Sequence, residues 1–420
     1  MSFEHYFVQP MSRKYNSLLI YALSLVIGLT LGIIISFYLK NSPSSLLLSL
    51  SLNFFSPPAP PSDSPVPPPS SLILPPLISL PSPPPPPPDA VKLPSVLLLS
   101  FPTNISSNST SVSLKEKKSL MHNMTDQELL WRASMVPGIR DFSQGKHVPK
   151  VAFLFLAVRG LPFATLWEKF LKGHEGLYSI YLHQHPDYFE EIPESSAFYG
   201  RRIPSQPVYW GTSSMIDAER RLLANALLDQ SNQRFVLLSE SCIPLFNFTA
   251  TYNYLINSPQ SFLSLYDDPR KHGRGRYNPQ MSPEINITDW RKGSQWFELH
   301  RDLAMAVVSD TKYYPIFRDK CRPPCYNDEH YIPTLVNMHY GKLNSNRSIT
   351  FVDWSRGGPH PRRFVGGDIS DELLNQIRFG SECIYNGNTT NMCFLFTRKF
   401  HPNALEPLLR VAPLVLGFDP

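Results

Sequence analysis

The amino-acid sequence predicts an α/β fold with a mostly parallel central sheet, preceded by one transmembrane helix and a proline-rich stem. Three observations support this prediction. An uncharged run of 23 residues lies near the N-terminus, 20 of the 43 prolines fall between Asn41 and Pro102, and the rest of the chain alternates strand-like and helix-like patterns. About 300 residues follow the prolines, enough for one α/β domain with a sizeable core.

The N-terminal segment is typical of an uncleaved membrane anchor. Residues 1–16 form a short tail, and residues 17–39 then run without a charge. At 1.5 Å per residue, a helix of that length spans roughly 35 Å, enough to cross a bilayer core of about 30 Å. A cleaved signal peptide is the alternative, but its apolar region is shorter, about 7–15 residues. Arg13 and Lys14 before the run, against Lys40 after it, predict a cytoplasmic tail and a type II orientation.

The next segment, residues 40–114, is predicted to be a lumenal stem. It contains "PSPPPPPPDAVKLP", which lacks most backbone donors and favours extended polyproline II at about 3.1 Å per residue. Plain disorder is the alternative, and the two descriptions can hold together. A homodimer joined through the stem is compatible with this organisation. Residues 115–420 then form the lumenal globular domain.

The placement of glycosylation sequons agrees with a lumenal domain. Every Asn-x-Ser/Thr sequon lies after the predicted anchor, at Asn104, Asn108, Asn123, Asn247, Asn286, Asn346 and Asn388. The net charge of +5 is mild, and no block of Lys and Arg stands out. Nucleic acid is therefore a poor candidate partner, whereas a modest cationic pocket for a phosphorylated small molecule fits this charge.

The cysteines also suit an oxidising compartment. Up to two disulfides and one free thiol can form from Cys242, Cys321, Cys325, Cys383 and Cys393. We expect the pairs Cys321–Cys325 and Cys383–Cys393. A zinc site made of Cys321, Cys325, His330 and His339 is the alternative, although this spacing fits no common zinc finger.

The globular part opens with the apolar run "KVAFLFLAV", residues 150–158, which predicts a buried strand of a parallel sheet. The next segment, residues 162–173, begins with Pro162 and ends at Gly173, which indicates a helix between them. The same patterns predict a strand over 177–183, a helix over 214–230, a strand that runs into a loop over 234–245, a helix over 249–258 and a strand over 261–268. In open α/β sheets the ligand binds beyond the carboxyl ends of the strands, where Val158, His183 and the Ser239–Cys242 loop fall.

Two acidic residues start an apolar helical segment in "PPCYNDEHYIPTLVN", residues 323–337. Acidic residues favour a helix N-terminus, which alone would explain Asp328 and Glu329. The functional interpretation makes one of these carboxylates a general base that points into a cleft.

A further loop carries aromatic and cationic side chains in "ITFVDWSRGGPHPRRFVGGDISDELL", residues 349–374. A strand is predicted to end at Trp354, and a helix to start at "DISDELL". An exposed Trp offers a flat surface on which sugars stack, although a core Trp is the commoner case. Arg362 and Arg363 belong either to a solvated turn or to the same binding surface.

Two adjacent cations, Arg398 and Lys399, stand in the apolar run "CFLFTRKFHP", residues 393–402. They either extend to solvent from a chain end or meet an anion, because a buried charge is costly unless it is paired. The chain contains no Asp-x-Asp, the pair with which many sugar transferases hold a metal on a nucleoside diphosphate. Fixed cations would then have to meet the charge of a leaving diphosphate.

Over residues 148–412 the chain resembles the core-2/I-branching β-1,6-N-acetylglucosaminyltransferase family, glycosyltransferase family 14, and in particular its plant branch. The resemblance rests on eight blocks in family order: "VAFLFLAVRG", "LYSIYLHQHPDY", "VYWGTSSMIDAERRLL", "FVLLSESCIPL", "RKGSQWFELHRDLA", "CYNDEHYIPTL", "FVDWSRGGPHPRRF" and "FLFTRKFHP". It implies a GT-A type fold and an inverting reaction without a divalent metal or other cofactor.

The resemblance also implies roles for individual residues. Glu329 matches the catalytic base, and Arg398 with Lys399 matches the pair that binds the pyrophosphate of a UDP-sugar. Donor-binding positions match Val158, His183, Val208, Tyr209, Trp210, Gln295 and Trp296. His183 stands where many relatives have an aspartate. On the acceptor side the resemblance points to Trp354, and we expect Arg362 and Arg363 of the same loop to bind the acceptor as well.

These observations predict a Golgi type II membrane glycosyltransferase that moves a sugar from a UDP-sugar to a hydroxyl of a glycan. By analogy with plant relatives, the acceptor would be a cell-wall polysaccharide or an arabinogalactan-type glycoprotein. The alternative from another class is a membrane-anchored scaffold or carbohydrate-binding protein that keeps the fold without turnover. A proline-rich structural protein would explain residues 41–102 and nothing after them.

Overall fold

The computed structural model describes residues 119–136 and 148–418, together with Gly28 and Thr30. The predicted stem lies outside the described residues, and so does the predicted anchor apart from Gly28 and Thr30. The chain divides into two units, Met1–Ile105 and Ser106–Pro420, and the fold below belongs to the second unit. Within the described part of the chain, no helix is both long enough and apolar enough to cross a membrane.

A mixed, mainly parallel sheet forms the centre of this unit. Its strand order is β2 (Tyr178–His183), β1 (Lys150–Leu156), β3 (Asn232–Ser239) and β5 (Glu298–His300). The first three strands are parallel, and β5 runs antiparallel to β3. The predicted α/β class with a mostly parallel sheet is therefore confirmed.

Strand β1 is apolar throughout because both of its faces are covered. Val151 and Phe153 pack into one core cluster, whereas Ala152 and Leu154 pack into another. Parallel strands buried on both faces read as continuous hydrophobic runs of this kind. Helices therefore cover both faces of the sheet, which is the layering expected of an α/β domain.

The helices around the sheets follow the predicted alternation. They are α1 (Asp126–Ser134), α2 (Ala164–Leu171), α3 (Ser214–Leu227), α4 (Phe248–Ile256), α5 (Arg301–Ser309), α6 (Tyr313–Lys320), α7 (Asn327–His339), α8 (Asp371–Phe379) and α9 (Leu405–Val411). The predicted start of a helix at "DISDELL" is confirmed, because the Ser370 hydroxyl caps α8 by accepting from the Leu373 N–H at 3.2 Å.

A second, smaller sheet carries the C-terminal basic pair. Its order is β4 (Ile243–Pro244), β9 (Phe396–Arg398) and β6 (Thr350–Val352). Strand β9 is antiparallel to β4 and parallel to β6. The predicted strand before Trp354 thus exists, but it ends two residues earlier, at Val352. A separate hairpin consists of β7 (Cys383–Tyr385) and β8 (Asn388–Thr390).

The strand predicted over residues 261–268 is wrong. Ser261, Phe262 and Tyr266 make only isolated bridges, each to a different partner segment. Between them, the Leu263 N–H donates to the Asn344 side-chain oxygen at 3.0 Å instead of to a neighbouring strand. An apolar β-type pattern therefore produced an extended segment whose hydrogen bonds are divided among several partners.

Both expected disulfides are present, at Cys321–Cys325 and Cys383–Cys393, and Cys242 is a buried free thiol. The disulfide at Cys321–Cys325 removes two of the four ligands that the zinc alternative required. His330, a third, is buried and stacks on Trp290 with ring centroids 4.5 Å apart. The zinc interpretation is therefore wrong.

Candidate active site

The parallel strands bring the predicted ligand-binding positions to one edge of the central sheet. Leu156 at the end of β1 is in register with His183 on β2 and with Ser239 on β3. Val158 follows β1 and is 68% exposed, so it lies at the surface of this edge. These three strand ends form the carboxyl edge at which an open α/β sheet binds ligands.

His183 lies at this edge as a neutral side chain. It is buried, and its Nε2 accepts a hydrogen bond from the Gln206 backbone N–H at 3.4 Å. Burial, followed by the nearby charge of Arg221, lowers the pKa of His183 to about 3. The ring therefore offers hydrogen bonding and contact surface at neutral pH, and no charge.

The second sheet places Arg398 and Lys399 beside the same edge. The Phe400 N–H donates to the Ser241 carbonyl at 3.1 Å, which joins the end of β9 to the loop after β3. The Phe364 N–H donates to the Lys399 carbonyl at 2.8 Å. Two loops therefore fix the backbone of the basic pair beside the carboxyl end of β3.

The guanidinium of Arg398 lies over the ring of Trp296, 3.9 Å from its centroid. The ring covers one face of the guanidinium but accepts no hydrogen bond from its Nε–H. This buried Nε atom has no hydrogen-bond partner among the described residues. Burial is the main reason that the pKa of Arg398 is lowered. Arg398 is half-buried, and a cation whose buried Nε atom has no described partner is suited to bind an anion.

The charges around Lys399 point in the same direction. Burial, and then repulsion by Arg398 and Arg363, lowers the pKa of the Lys399 amine. Glu240 opposes this shift, but neither Arg398 nor Lys399 forms an ion pair with a described carboxylate. Arg363, Arg398 and Lys399 therefore form a cationic cluster that is suited to bind an anion.

Glu329 lies in the first turn of α7, as predicted, and two cations that the sequence analysis did not select hold its carboxylate. Lys292 Nζ donates to Glu329 Oε2 at 2.6 Å, and Arg276 Nη1 donates to the same oxygen. Burial alone would raise the pKa of Glu329, but the charges and hydrogen bonds of Lys292 and Arg276 together outweigh it and lower the pKa. Glu329 is therefore ionised at neutral pH.

Two further carboxyl groups, those of Asp328 and Glu219, belong to the surroundings of Glu329. Burial raises the pKa of Asp328 to about 6 and raises that of Glu219, on α3, well above its ordinary value. Gln295 Nε2 donates to Glu219 Oε1 at 2.9 Å. The predicted donor-binding residue Gln295 is thus oriented by a buried, protonated carboxyl group.

An aromatic ridge connects the loop before α3 to Glu329. Trp210 is 69% exposed, and its ring centroid is 4.9 Å from that of Tyr326. The Arg276 guanidinium lies on Tyr326, 4.6 Å from the ring centroid. Gly211 has φ +76°, a conformation that glycine adopts readily, and an added Cβ would approach the Tyr326 ring to 3.0 Å. The ridge of Trp210, Tyr326 and Arg276 therefore leads to Glu329.

The remaining predicted donor residues lie in the same loop. Tyr209 is 66% exposed and Val208 is half-buried. The Tyr209 N–H donates to the Ser214 hydroxyl at 2.9 Å, which ties the loop to the start of α3. Trp296, another of the predicted donor residues, contacts Arg398 of the basic pair.

The loop after β6 divides the residues predicted to bind the acceptor. Trp354 is 52% exposed, so the surface position is found rather than the commoner core position. Arg362 forms ion pairs with Asp368 at 3.0 Å and with Asp353 at 3.8 Å. These contacts tie the loop together, so its role here is structural. Arg363 is exposed and interacts electrostatically with Lys399, on the side of the basic pair. The structure therefore separates two neighbouring arginines that the sequence analysis had grouped.

Arg276, Lys292 and Glu219 are functional candidates that the sequence analysis missed. Arg276 and Lys292 are 53 and 37 residues from Glu329 along the chain, so no local spacing connects them. The sequence does contain a cluster of cations in "DPRKHGRGRYNP", residues 268–279. Such a cluster is typical of an anion-binding loop and equally of a solvated surface loop.

Five of the predicted glycosylation sequons fall among the described residues, and the other two, Asn104 and Asn108, lie outside them. The asparagines that are described are all exposed: Asn123, Asn247, Asn286, Asn346 and Asn388. The side chain of Asn247 also caps α4 by accepting from the Ala250 N–H at 2.9 Å. Their glycosylation stays a prediction.

Sequence comparison places the chain among the glycosyltransferases. A rice protein, "Glycosyltransferase BC10" from Oryza sativa subsp. japonica, is 37% identical to it over 297 residues. The similarity covers 60% of this chain and 73% of the rice protein. The family model described as Core-2/I-Branching enzyme matches residues 151–378, more than half of the chain. The chain belongs to the Core-2/I-branching enzyme family, which confirms the resemblance drawn from the sequence blocks.

Proposed function

We propose that this glycosyltransferase transfers a sugar from a UDP-sugar to a hydroxyl of a glycan acceptor, with inversion at the anomeric carbon and without a divalent metal. One observation carries the proposal. Arg398 is half-buried against Trp296, its buried Nε atom has no partner, and it has no ion-paired carboxylate among the described residues. It lies beside the ligand edge of the sheet. A diphosphate supplies the anion that this position lacks.

The reaction follows from the two sets of charges. The acceptor oxygen attacks the anomeric carbon through an oxocarbenium-like state, and its proton passes to Glu329. The bond from the anomeric carbon to the diphosphate oxygen breaks, and the leaving oxygen takes the bonding electrons. Arg398 and Lys399 then stabilise the negative charge that grows on the diphosphate.

Supporting features extend the proposal to the donor. Trp296 contacts Arg398, Gln295 precedes Trp296 in the chain, and His183 with Val158 lies at the same sheet edge. Together with the family membership, the mainly parallel sheet supports a GT-A type fold, with these side chains lining the nucleotide and donor sugar. Trp354 would contribute to acceptor binding.

The test is UDP release by the full-length protein, purified in detergent and supplied with a panel of UDP-sugars and oligosaccharide acceptors, with and without EDTA. We expect release that depends on the donor and survives EDTA. Glu329→Gln should lower the rate about 10²–10⁴-fold, the usual contribution of a general base. Glu372→Gln is the matched control, because Glu372 also lies in the first turn of a helix and is exposed.

The outcomes separate the alternatives. Complete loss of release with EDTA would contradict the role of Arg398 and Lys399 as the fixed cations. Binding of UDP without turnover of any donor would favour the non-catalytic carbohydrate-binding or scaffold alternative.

The proposed location is the Golgi membrane, with a type II orientation and the catalytic domain in the lumen. The supporting observations are the uncharged run at residues 17–39 and the exposed asparagines of the described sequons. In cells, treatment with an N-glycosidase should increase the electrophoretic mobility of the full-length protein. Unchanged mobility, or a protein that does not co-localise with Golgi markers, would contradict this part of the proposal.

A further inference from the structure

A basic cavity is lined in part by Arg276, the residue that also contacts Glu329. Its volume is about 520 Å³, and the residues that define it are Arg276, Tyr277, Asn278, Lys320, Arg322 and Cys325. This volume lies within the range of about 300–1,000 Å³ that is usual for small-molecule sites. The cavity therefore has room for a ligand of a few sugar rings.

The charges of this cavity are unbalanced. Arg276, Lys320 and Arg322 are cationic, and the single lining carboxylate, Asp319, is bound at 3.1 Å by Arg318. Neither Lys320 nor Arg322 has an ion-pair partner among the described residues. A guanidinium has five N–H donors, and for Arg276 one contact to a protein acceptor is seen, from Nη1 to Glu329. Donors thus remain available to an anionic ligand.

The walls of the cavity are held in place without a ligand. The side chain of Arg276 is only 16% exposed, and its guanidinium packs on Tyr326. Asn278 Nδ2 donates to the Lys320 carbonyl at 3.0 Å, which joins the two sides. The Cys321–Cys325 disulfide closes the short loop that carries Arg322. A site that is rigid before binding loses less entropy when its ligand binds.

Arg276 belongs both to this cavity and to the carboxylate of the proposed base. A glycan whose hydroxyl reaches Glu329 therefore comes close to a residue that lines the cavity. We infer that the basic cavity is an acceptor subsite for an acidic sugar residue, a uronate, next to the sugar that receives the transferred group. This inference rests on the proposed function and adds to it the chemical class of the acceptor.

The test measures binding rather than turnover, with a trimer of galacturonic acid as the acidic probe and a trimer of galactose as its neutral counterpart. Calorimetry on the full-length protein should show binding of the acidic trimer at least about tenfold tighter than that of the neutral trimer. Lys320→Gln with Arg322→Gln should weaken the acidic trimer about tenfold, since two charged contacts are lost. Lys342→Gln with Arg410→Gln, two exposed cations outside the cavity, removes the same charge and should leave its affinity within twofold.

Three results would overturn the inference: equal binding of both trimers, equal weakening by the control pair, or displacement of the acidic trimer by UDP. Displacement would place the trimer at Arg398 and Lys399 instead. The result is independent of turnover. If the expected binding pattern is found but no donor releases UDP, the subsite stands and the proposed transfer fails. If UDP is released but the acidic trimer shows no preference, the transfer stands and the subsite fails.

Discussion

Glu329 has an environment that keeps it ionised rather than strongly basic. Lys292 and Arg276 stabilise its negative charge, so the carboxylate is available as a proton acceptor throughout the physiological pH range. A carboxylate of low pKa cannot remove a proton from a free alcohol. It can accept that proton once the alcohol oxygen has begun to bond to the anomeric carbon and its proton has become acidic. In the proposed reaction, the two cations therefore favour a late proton transfer, matched to an oxocarbenium-like state.

Glu219 has the opposite environment, and this gives a stability prediction. It is fully buried, its Oε2 has no partner among the described residues, and burial raises its pKa well above the ordinary value of 4.5. In the unfolded chain this group ionises above about pH 4.5, whereas in the folded protein it stays protonated. Folding stability is therefore lost as pH rises from 4.5 toward the folded pKa.

Glu219→Gln removes this titration and keeps an oxygen for Gln295. At pH 7 we expect an increase of about 1–3 kcal/mol in the free energy of unfolding, on the scale of 1.4 kcal/mol per pH unit. The increase should shrink toward zero near pH 4.5. Thermal unfolding at several pH values measures it, with Glu406→Gln, a change at an exposed carboxylate, as the control. A constant difference between the variant and the wild type at all pH values would contradict the argument.

At the scale of elements, the start of α7 is positioned by a contact that only glycine permits. The Gly293 N–H donates to the Glu329 carbonyl at 2.8 Å. A Cβ at residue 293 would lie inside contact distance of the Ser264 carbonyl oxygen and 2.6 Å from Pro333 Cγ. The helix that carries the proposed base therefore packs directly against the backbone beside Lys292.

Gly293→Ala should force these segments apart. We expect a loss of about 1–3 kcal/mol in the free energy of unfolding, the usual cost of overpacking. The rate of UDP release should fall as well, because Lys292 and Glu329 move relative to each other. Urea unfolding and the UDP-release assay measure the two effects. Gly341→Ala is the control, since nothing lies within 4 Å of its added Cβ, and equal behaviour of the two variants would refute the packing argument.

The sequence predicted elements best where the pattern was continuous and local. Strand β1 and helix α3 have unbroken apolar or helical periodicity and were found as predicted. Strand β5 has three residues and pairs with β3. The buried ion pair between these strands joins Arg234 to Glu298, which are 64 residues apart in the chain. No local pattern reveals such a strand, because its stability comes from tertiary contacts.

The candidate site was predictable to the same extent. Asp328, Glu329 and Arg398 stand in segments whose charges interrupt an otherwise apolar pattern, so local sequence drew attention to them. The choice of Glu329 over Asp328 came from the family resemblance. Arg276 and Lys292 act on Glu329 only after the chain has folded, and their own neighbourhoods resemble ordinary solvated loops. Arg363 lay in a predicted functional loop, but its position beside Lys399 depends on the pairing of that loop with β9.

At the scale of the whole molecule, the proposed anion site sets function against stability. Burial lowers the pKa values of Arg398 and Lys399, which means that the folded protein pays for two desolvated cations without an ion-paired partner among its described residues. Such a site is destabilised until its ligand binds, as is common where activity requires an unfavourable arrangement. An anion that binds the folded state alone should therefore stabilise the entire fold.

Arg398→Met with Lys399→Met should separate these two effects. Without ligand, the melting temperature should stay equal to that of the wild type or rise, because buried charge is replaced by apolar side chains of similar length. In the wild type, UDP at 100 times its Kd should add about 2.7 kcal/mol to the free energy of unfolding, and in the variant this stabilisation should nearly vanish. Lys342→Met with Arg410→Met, the same change at exposed positions, should retain the full effect of UDP. A double variant that UDP still stabilises like the wild type would show that the diphosphate binds elsewhere, because the folded state would then gain its ligand energy without these two cations.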